Sequence, residues 1–161
     1  MLIRDATSED WPLIWLFLHQ VVAAGDTFAY DPYTGGAEAQ AMWRVDAPGR
    51  VDVVAEGADV AGTANIHVNR SGPGAHVASV SYIVDLARRG QGVGRALVID
   101  SLQWAQNSGF RGVQFPAVAQ TNAHAIGLYE QLGFTVIGTV PGGFHHPLHG
   151  YAGLHVMFCP L

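Results

Sequence analysis

Glycine recurs at every second position in one short basic segment, Arg88–Leu97, which reads RRGQGVGRAL. Glycines there remove side chains, so backbone N–H groups can approach a ligand closely. The segment follows a predicted strand and opens a predicted helix, whose first N–H groups lack partners within the helix and whose dipole favours an anion. The pattern therefore predicts a cradle for a pyrophosphate group, to which Arg89 and Arg95 add positive charge.

The spacing excludes two other phosphate-binding patterns. A P-loop requires Gly-Lys followed by Ser or Thr, which this sequence lacks. A dinucleotide fingerprint requires G-x-G-x-x-G, but counting from Gly90 and Gly92 places Arg95 where the third glycine should stand. A glycine-rich turn without a ligand is the remaining alternative, and the arginines on both sides of the glycines argue against it.

The elements around this segment predict a mixed α/β domain. Hydrophobic periodicity predicts helices at about 9–24, 36–46, 92–108 and 122–132. Strands are predicted at about 2–4, 51–55, 60–68, 75–84, 111–118, 134–140 and 154–158, with an irregular loop over 141–150. Consecutive strands followed by alternating helices and strands indicate one central sheet in a single domain, 1–161.

The composition excludes several classes of protein. With 13% charged and 49% hydrophobic residues, the chain is not intrinsically disordered. Eight basic against 13 acidic residues give a formal charge of −5, which argues against a nucleic-acid partner. No signal peptide and no membrane-spanning run is found, and Cys159 is the single cysteine, so we expect a cytoplasmic protein without membrane contact.

Three motifs together resemble the GCN5-related N-acetyltransferase (GNAT) family. Arg89-x-x-Gly92-x-Gly94 resembles its acetyl-coenzyme A (acetyl-CoA) motif, Val80–Val84 its fourth strand, and Asn122–Phe134 its second cofactor motif. The resemblance covers nearly the whole chain in element order. It implies the GNAT fold, of α/β (α+β) class: a mixed, mostly antiparallel sheet of about seven strands, splayed between strands four and five and flanked by about four helices.

The resemblance also implies a role for each matched residue. The fourth-strand backbone would pair with the pantetheine arm, and an N–H near Tyr82 or Ile83 would stabilise the oxyanion of a tetrahedral intermediate. The amides from Arg89 to Arg95 would hold the pyrophosphate. The full cofactor-binding set comprises Tyr82, Ile83, Val84, Arg89, Gly90, Gln91, Gly92, Val93, Gly94, Arg95, Ala96, Asn122 and Tyr129.

Asn122 and Tyr129 are the implied catalytic residues. They lie seven positions apart, two helical turns, so they share a face of the predicted helix. A thiol has a pKa near 8.5 and a phenol near 10, so a positioned tyrosine can protonate a departing thiolate. The alternative for Tyr129 is an ordinary half-buried aromatic whose hydroxyl is satisfied locally.

Pro116 is discordant inside a predicted strand, because proline cannot donate to a strand ladder. The resemblance offers an explanation: strands four and five splay apart to admit the cofactor, so a residue at the splay need not donate to its neighbour. We therefore expect the ladder between these strands to end before Pro116.

The acceptor side is less defined. No acidic residue lies between His67 and Val84 to deprotonate the amine, so His67, His76 or water is the candidate base, or the amine binds in its neutral form. The alternative for both histidines is a solvent-facing position on a strand.

Other segments resemble a branch that includes azetidine-2-carboxylate (proline-analogue) N-acetyltransferases. These segments are Ala24–Tyr30, His76–Ala78 and Pro141–Tyr151. The branch often has asparagine where this chain has Ser79 and Pro116. The implied substrate-binding residues are Asp26, Thr27, Tyr30, His76, Ser79, Pro116 and His145.

Three histidines near Cys159 could suggest a metal ion: His145, His146 and His149. Zinc sites have a firm ligand spacing, which these residues do not show, so we expect no metal. We expect their segment instead to close over the acceptor or to form a subunit contact.

The sequence therefore predicts an acetyl-CoA-dependent N-acetyltransferase acting by direct attack of an amine. The expected acceptor is a small molecule: an amino acid, an amino-acid analogue or an amine resembling an antibiotic metabolite. Acetylation of a protein or peptide amine, or a non-catalytic CoA-binding sensor module, are the alternatives. Relatives are often dimers, so the resemblance allows a homodimer.

Overall fold

The computed structural model describes residues 1–161, with four helices and one seven-stranded sheet. The helices are α1 (Trp11–Ala24), α2 (Gly36–Trp43), α3 (Val93–Asn107) and α4 (Ala123–Gln131). The strands are β1 (Leu2–Asp5), β2 (Arg50–Glu56), β3 (Asp59–Val68), β4 (Val77–Val84), β5 (Gly112–Ala119), β6 (Thr135–His146) and β7 (Gly150–Pro160). These elements confirm the expected mixed sheet with four helices.

The sheet separates two helical layers. Its strand order is β1-β2-β3-β4-β5-β7-β6, and β4–β5 is the one parallel pair. Helices α1 and α2 bury apolar residues such as Phe17 and Trp43 against one face. On the other face, α3 buries Leu97 and α4 contributes Tyr129. Helices, or the loop after α1, cover both faces of the sheet around β4 and β5.

Local signals explain where α1 begins and ends. The Asp10 carboxylate accepts hydrogen bonds from the N–H and hydroxyl of Thr7, at 2.7 and 3.0 Å, which fixes the chain just before the helix. Pro12 occupies the first turn, where its missing N–H is not needed. Gly25 adopts φ 64° and ends the helix in the left-handed conformation. The chain therefore turns sharply toward the sheet after Gly25.

Strands β4 and β5 are paired only at their beginnings. Val77, Ala78 and Ser79 face Gly112, Val113 and Gln114, and no pair follows. The ladder thus ends two residues before Pro116, as predicted from its missing N–H. On the β7 side, the register shifts between Phe115 and Val118, so Pro116 sits in a β-bulge. The rest of β4 has a free backbone edge facing the splay.

The prediction of an irregular loop over 141–150 is wrong. Strand β6 continues to His146 and pairs with β7 through Phe144–Ala152 and His146–Gly150. Because β6 is an edge strand, Pro141 removes no ladder donor, and a register shift between Val140 and Phe144 absorbs the neighbouring glycines. A segment rich in proline and glycine therefore forms a bulged hairpin. No helix is both long and apolar enough to cross a membrane.

Candidate active site

The glycine-rich segment forms an open cradle at the start of α3. Gly90 and Gly92 adopt φ values of 75° and 82°, the left-handed region that favours glycine. A Cβ atom at either position would meet no atom of the chain within 4 Å, so the space in front of them is open. The first turn of α3 makes its earliest backbone hydrogen bond from Ala96 to Gly92, at 3.0 Å. The preceding N–H groups, those of Val93, Gly94 and Arg95, remain free for an anion.

Three arginines surround this cradle. Arg88 is held in an ion pair with Glu56, with nitrogen and oxygen 2.8 Å apart. Arg89 is exposed and has no ion pair, and Arg95 contacts only the neutral Gln131, at 3.3 Å. Arg89 and Arg95 are therefore the two side chains whose charge is available to a phosphate group.

A cavity of about 930 Å³ extends from the cradle to the splay between β4 and β5. We call it the large cavity. Of the cofactor-binding residues expected from sequence, it is lined by Tyr82, Ile83, Val84, Arg89, Gly90, Gly92, Val93, Gly94, Arg95, Asn122 and Tyr129. It therefore brings together the three matched motifs, which are far apart in the sequence.

Two expected cofactor residues lie outside the large cavity: Gln91 and Ala96. The Gln91 side chain turns back to donate to the carbonyl of Ala87, at 3.3 Å. The Ala96 N–H is used within the helix, by the carbonyl of Gly92. The assignment of Gln91 and Ala96 to the cofactor-binding set stays a prediction.

A second, small cavity of about 190 Å³ lies beside the large one. The two cavities share five lining residues, which we call the junction: Thr27, Phe28, Tyr82, Asn122 and Tyr129. The residues of the junction come from the loop after α1, from β4 and from the beginning and end of α4. The splay is therefore the place where contents of the two cavities can meet.

The geometry of Asn122 leaves one end of its amide free. Asn122 caps α4, and its side-chain oxygen accepts the N–H of Ala125 at 3.3 Å. The oxygen is thus occupied by the helix, and the NH₂ group is the part that can donate into the cavities.

Tyr129 is held by aromatic rings at the junction. Its ring centroid lies 4.4 Å from that of Phe115, 5.9 Å from that of Phe134 and 6.3 Å from that of Tyr82. Burial raises the pKa of Tyr129 to about 12. The phenol therefore stays protonated at neutral pH and can donate a hydrogen bond.

Aromatic side chains also wall the small cavity. Phe28 and Tyr30 lie with ring centroids 5.4 Å apart on one side, and Tyr82 and Phe115 lie 5.8 Å apart on the other. Burial raises the pKa of Tyr30, opposed by a hydrogen bond with the Ser81 side chain. The side-chain oxygen of Thr27 is buried and has no hydrogen-bond partner in the chain. Because buried polar atoms are nearly always paired, this hydroxyl marks a place where a ligand completes the site.

The expected substrate-binding residues divide into two groups. Asp26 lines the large cavity, Tyr30 and Pro116 line the small one, and Thr27 lines both. His76, Ser79 and His145 line neither. Of the residues expected to bind the acceptor, only those in the loop after α1 and on β5 therefore line a cavity.

The three residues that line neither cavity, His76, Ser79 and His145, lie in other parts of the fold. His76 is exposed in a turn before β4. Ser79 is buried where β4 and β5 are still paired, below the splay. His145 is exposed and packs against Tyr151, with ring centroids 4.7 Å apart.

His146, not His145, reaches the large cavity. Its Nδ1 accepts the N–H groups of Leu148 and His149, at 3.1 and 3.3 Å. Backbone N–H groups only donate, so the neutral imidazole carries its proton on Nε2. His145 and His146 face opposite sides because adjacent residues of a strand alternate, and the substrate-binding role of His145 stays a prediction.

The candidate bases are also displaced from the junction. His67 pairs in register with Ser79, at the end of β4 away from the splay, and burial lowers its pKa. Neither His67 nor His76 lines a cavity. Phe28, Phe115 and His146 line the cavities and were not predicted, since no short sequence spacing connects them. No group of three or more His, Cys, Asp or Glu side chains is placed to hold a metal ion.

A buried polar row lies behind Tyr82. Asp52 pairs in register with Ala64, and Ala64 with Tyr82, so Asp52 and Tyr82 flank a small residue on one face of the sheet. Arg50 lies 2.7 Å from the Asp52 carboxylate and also bonds to Asp100. Despite this arginine, burial raises the pKa of Asp52 to about 7. Neither Arg50 nor Asp52 lines a cavity.

A mixed sheet splayed next to an anion cradle, with a second cavity opening at the splay, defines an acyl-CoA-dependent transferase. Residues 8–134 match the model of the acetyltransferase (GNAT) family. The chain therefore belongs to the GNAT family of acetyltransferases.

Individual relatives agree with this assignment. The structure of a GCN5-related N-acetyltransferase from Kribbella flavida superposes with a TM-score of 0.95 and 51% identity, covering 99% of this chain and 97% of that chain. The structure of yncA from Salmonella typhimurium with its cofactor acetyl-CoA gives a TM-score of 0.84 and 25% identity, covering 100% of this chain and 94% of that chain. Protein SPT10 of Saccharomyces cerevisiae is 33% identical over 70 residues, which are 44% of this chain and 11% of that protein.

Proposed function

We propose that this chain transfers the acetyl group of acetyl-CoA to the amine of a small-molecule acceptor. The observation that carries the proposal is the junction, where Thr27, Phe28, Tyr82, Asn122 and Tyr129 line both cavities. One cavity fits a large anionic ligand and the other a small apolar one, so the two reactants would meet at the splay.

The large cavity has the features that acetyl-CoA requires. Its volume of about 930 Å³ is at the upper end for ligand pockets, which suits a long cofactor. The free N–H groups of the α3 start, with Arg89 and Arg95, would hold the pyrophosphate. The unpaired edge of β4 beyond Ser79 would hold the pantetheine arm by strand-like hydrogen bonds. When bound, acetyl-CoA supplies a thioester carbonyl as the electrophile.

The residues of the junction would then promote the transfer. The Tyr129 hydroxyl would donate its proton toward the leaving sulfur, and the Asn122 NH₂ group would orient the cofactor beside it. A backbone N–H of β4 near Tyr82 or Ile83 would stabilise the oxyanion. With no histidine or acid at the junction, the amine would enter in its neutral form, losing its proton to water outside the small cavity.

The size of the small cavity supports a metabolite over a protein substrate. A cavity of about 190 Å³ walled by aromatic rings has room for a compact acceptor rather than for an extended peptide. The missing base at the junction supports the second candidate, a non-catalytic sensor that binds acetyl-CoA. Release of free thiol separates the two, since a sensor binds the cofactor without turning it over.

Three further expectations form part of the proposal. Residues 1–161 would act as one N-acetyltransferase domain, because the sheet connects all its elements. The cytoplasm is the proposed location, supported by a single free cysteine. A homodimer is supported by apolar side chains exposed on and beside the β6 edge, with Ile137 60% and Leu148 85% exposed. Sedimentation velocity would detect the dimer, and Ile137→Glu would dissociate it.

The test of function is a thiol-release assay with acetyl-CoA and a panel of small amines, amino acids and lysine-containing peptides. We expect amine-dependent release of CoA with small amines and none with the peptides. Equilibrium binding of acetyl-CoA is measured in parallel. Tight binding without release for any amine would contradict the proposal and support the sensor.

A further inference from the structure

The small cavity has a volume that limits its contents. An apolar cavity of about 150 Å³ accommodates a benzene molecule. The small cavity, at about 190 Å³, therefore has room for a compact acceptor of the size of a single residue, with the amine directed to the junction. An extended peptide would reach beyond its walls.

The lining of the small cavity contains no arginine, lysine, histidine, aspartate or glutamate. Ten of its 14 lining residues are hydrophobic. Its polar side chains are neutral: those of Thr27, Ser81 and Asn122, and the hydroxyls of Tyr30, Tyr82 and Tyr129, which are among the ten hydrophobic residues. An amino acid would bring a carboxylate into this space without a cationic partner. Burying an unpaired carboxylate among these aromatic rings costs several kcal/mol, so the interior of the cavity disfavours such a ligand.

The basic side chains of the large cavity do not provide a cationic partner for a carboxylate in the small cavity. Arg88, Arg89 and Arg95 lie at the cradle, and His124 lies in the first turn of α4. His146 is the remaining histidine of the large cavity, and it does not line the small one.

The ionisable residue beside the junction, Asp26, is acidic rather than basic. Asp26 lines the large cavity next to Thr27 and Phe28. A carboxylate there attracts an incoming ammonium ion and repels a carboxylate. Aromatic faces just inside, those of Phe28 and Tyr30, also favour a cation or an apolar body over an anion.

We infer that the acceptor is a compact, apolar monoamine without an anionic group, and that α-amino acids are excluded by charge. The inference rests on the proposed function and narrows it: among the three expected acceptor classes, amines without a carboxylate fit the small cavity.

The test compares three acceptors that share an isobutyl group on the carbon bearing the amine: isoamylamine, leucinamide and leucine. Values of kcat/KM are expressed per concentration of neutral amine, so that differences in amine basicity do not enter. We expect isoamylamine to exceed leucine by about 100-fold or more, since an unpaired buried carboxylate costs several kcal/mol. Leucinamide, which has the bulk of leucine without its charge, should stay within about tenfold of isoamylamine, because one unsatisfied neutral group costs less. Leucine within about tenfold of isoamylamine would overturn the inference.

Calorimetric binding to the CoA complex separates this inference from the proposed function. Binding of isoamylamine but not leucine, without turnover of either, would refute the acetyl transfer and retain the exclusion of anions. Preferential binding of leucine, or binding of neither compound at millimolar concentration, would refute the inference itself.

A change of charge inside the cavity gives a second test. Ala117 lines the small cavity, is exposed and lies in the β5 bulge, where a longer side chain is tolerated. Ala117→Arg would supply the missing cation, and Ala117→Gln is the control of similar length. We expect the ratio of leucine to isoamylamine kcat/KM to rise about tenfold or more in A117R relative to A117Q, the gain from one charge-assisted hydrogen bond. An unchanged ratio would show that charge does not exclude leucine.

Discussion

The large and small cavities meet at the junction but are built from different atoms. At the cradle, recognition would come from the free N–H groups of Val93, Gly94 and Arg95 and from left-handed glycines that keep side chains away. In the small cavity, recognition would come from side chains on the loop after α1, on β4, on β5 and on α4. Backbone recognition tolerates many changes in neighbouring side chains, whereas one substitution in the small cavity alters its shape or charge. Binding of the donor would therefore depend on one short segment, whereas the choice of acceptor would depend on side chains from several segments.

The cradle should fail when one side chain enters it. Gly92→Val places a Cβ at φ 82°, in front of the free amides. Losing two hydrogen bonds to a charged phosphate, at about 1.5–3 kcal/mol each, lowers acetyl-CoA affinity about 100-fold or more, measured by calorimetry.

Gly57→Val is the matched control, since Gly57 has φ 66° and equally open space but lines neither cavity. Both variants should lose about 1–3 kcal/mol of stability through backbone strain, and only G92V should lose the cofactor. Equal acetyl-CoA affinity in the two variants would remove the cradle from the account.

A substitution at the junction should lower the rate of acetyl transfer more than the affinity for acetyl-CoA. Tyr129→Phe removes the proton donor and keeps the ring that packs on Phe115. We expect kcat to fall by about 100-fold or more, the usual contribution of a general acid, with acetyl-CoA affinity nearly unchanged. Tyr33→Phe, at a side chain 93% exposed, is the control. Rapid-quench measurement of the transfer step checks this, and an unchanged rate in Y129F would exclude the assigned role.

Removing the unpaired hydroxyl of Thr27 from the small cavity should weaken binding of the acceptor. Thr27→Val keeps the shape and removes an oxygen that has no partner in the chain. The acceptor KM should rise by about three- to tenfold, while the free energy of unfolding stays equal or increases, because a buried unsatisfied group is lost. Thr34→Val, which removes a hydroxyl bonded to Asp31 far from the cavities, should leave KM unchanged. A lower stability of T27V with unchanged KM would mean that the hydroxyl serves the fold.

The polar row behind Tyr82 should affect neither cavity and show itself in stability alone. The pKa of Asp52, raised to about 7, lies above its unfolded value near 4, so the folded state holds an extra proton. This contribution is complete below about pH 4 and is lost as the pH rises through about 7. Denaturation at several pH values should show this slope for the parent chain and for Asp46→Asn, an exposed control, but not for Asp52→Asn. A slope retained in D52N would assign it to another group.

The difference between the cradle, built from backbone groups, and the small cavity, built from side chains, also explains which residues the sequence could predict. Gly90 to Arg95 would act through consecutive backbone groups, and Asn122 and Tyr129 share one helix face, so short spacings in the sequence were enough to predict both sets. Phe28 and Phe115 meet across the fold from distant segments, and no spacing connects them.

Two differences between expectation and structure have local causes. The 141–150 segment was expected as a loop because proline and glycine usually interrupt strands, whereas an edge strand with a bulge accepts them. The alternation of side chains along this strand places His146, and not the predicted His145, at the large cavity. His67 and His76 were considered from residue type alone, and the register of β4 places them away from the splay.

A bisubstrate ligand tests the meeting of the two cavities most directly. In this compound the CoA sulfur is joined through CH₂–CO–NH to an isoamyl group, so that one molecule reaches both cavities through the junction. Calorimetry should give a dissociation constant about 100-fold or more below that of CoA, since the second group binds at high effective concentration. A dissociation constant equal to that of CoA would contradict transfer of the acetyl group across the junction.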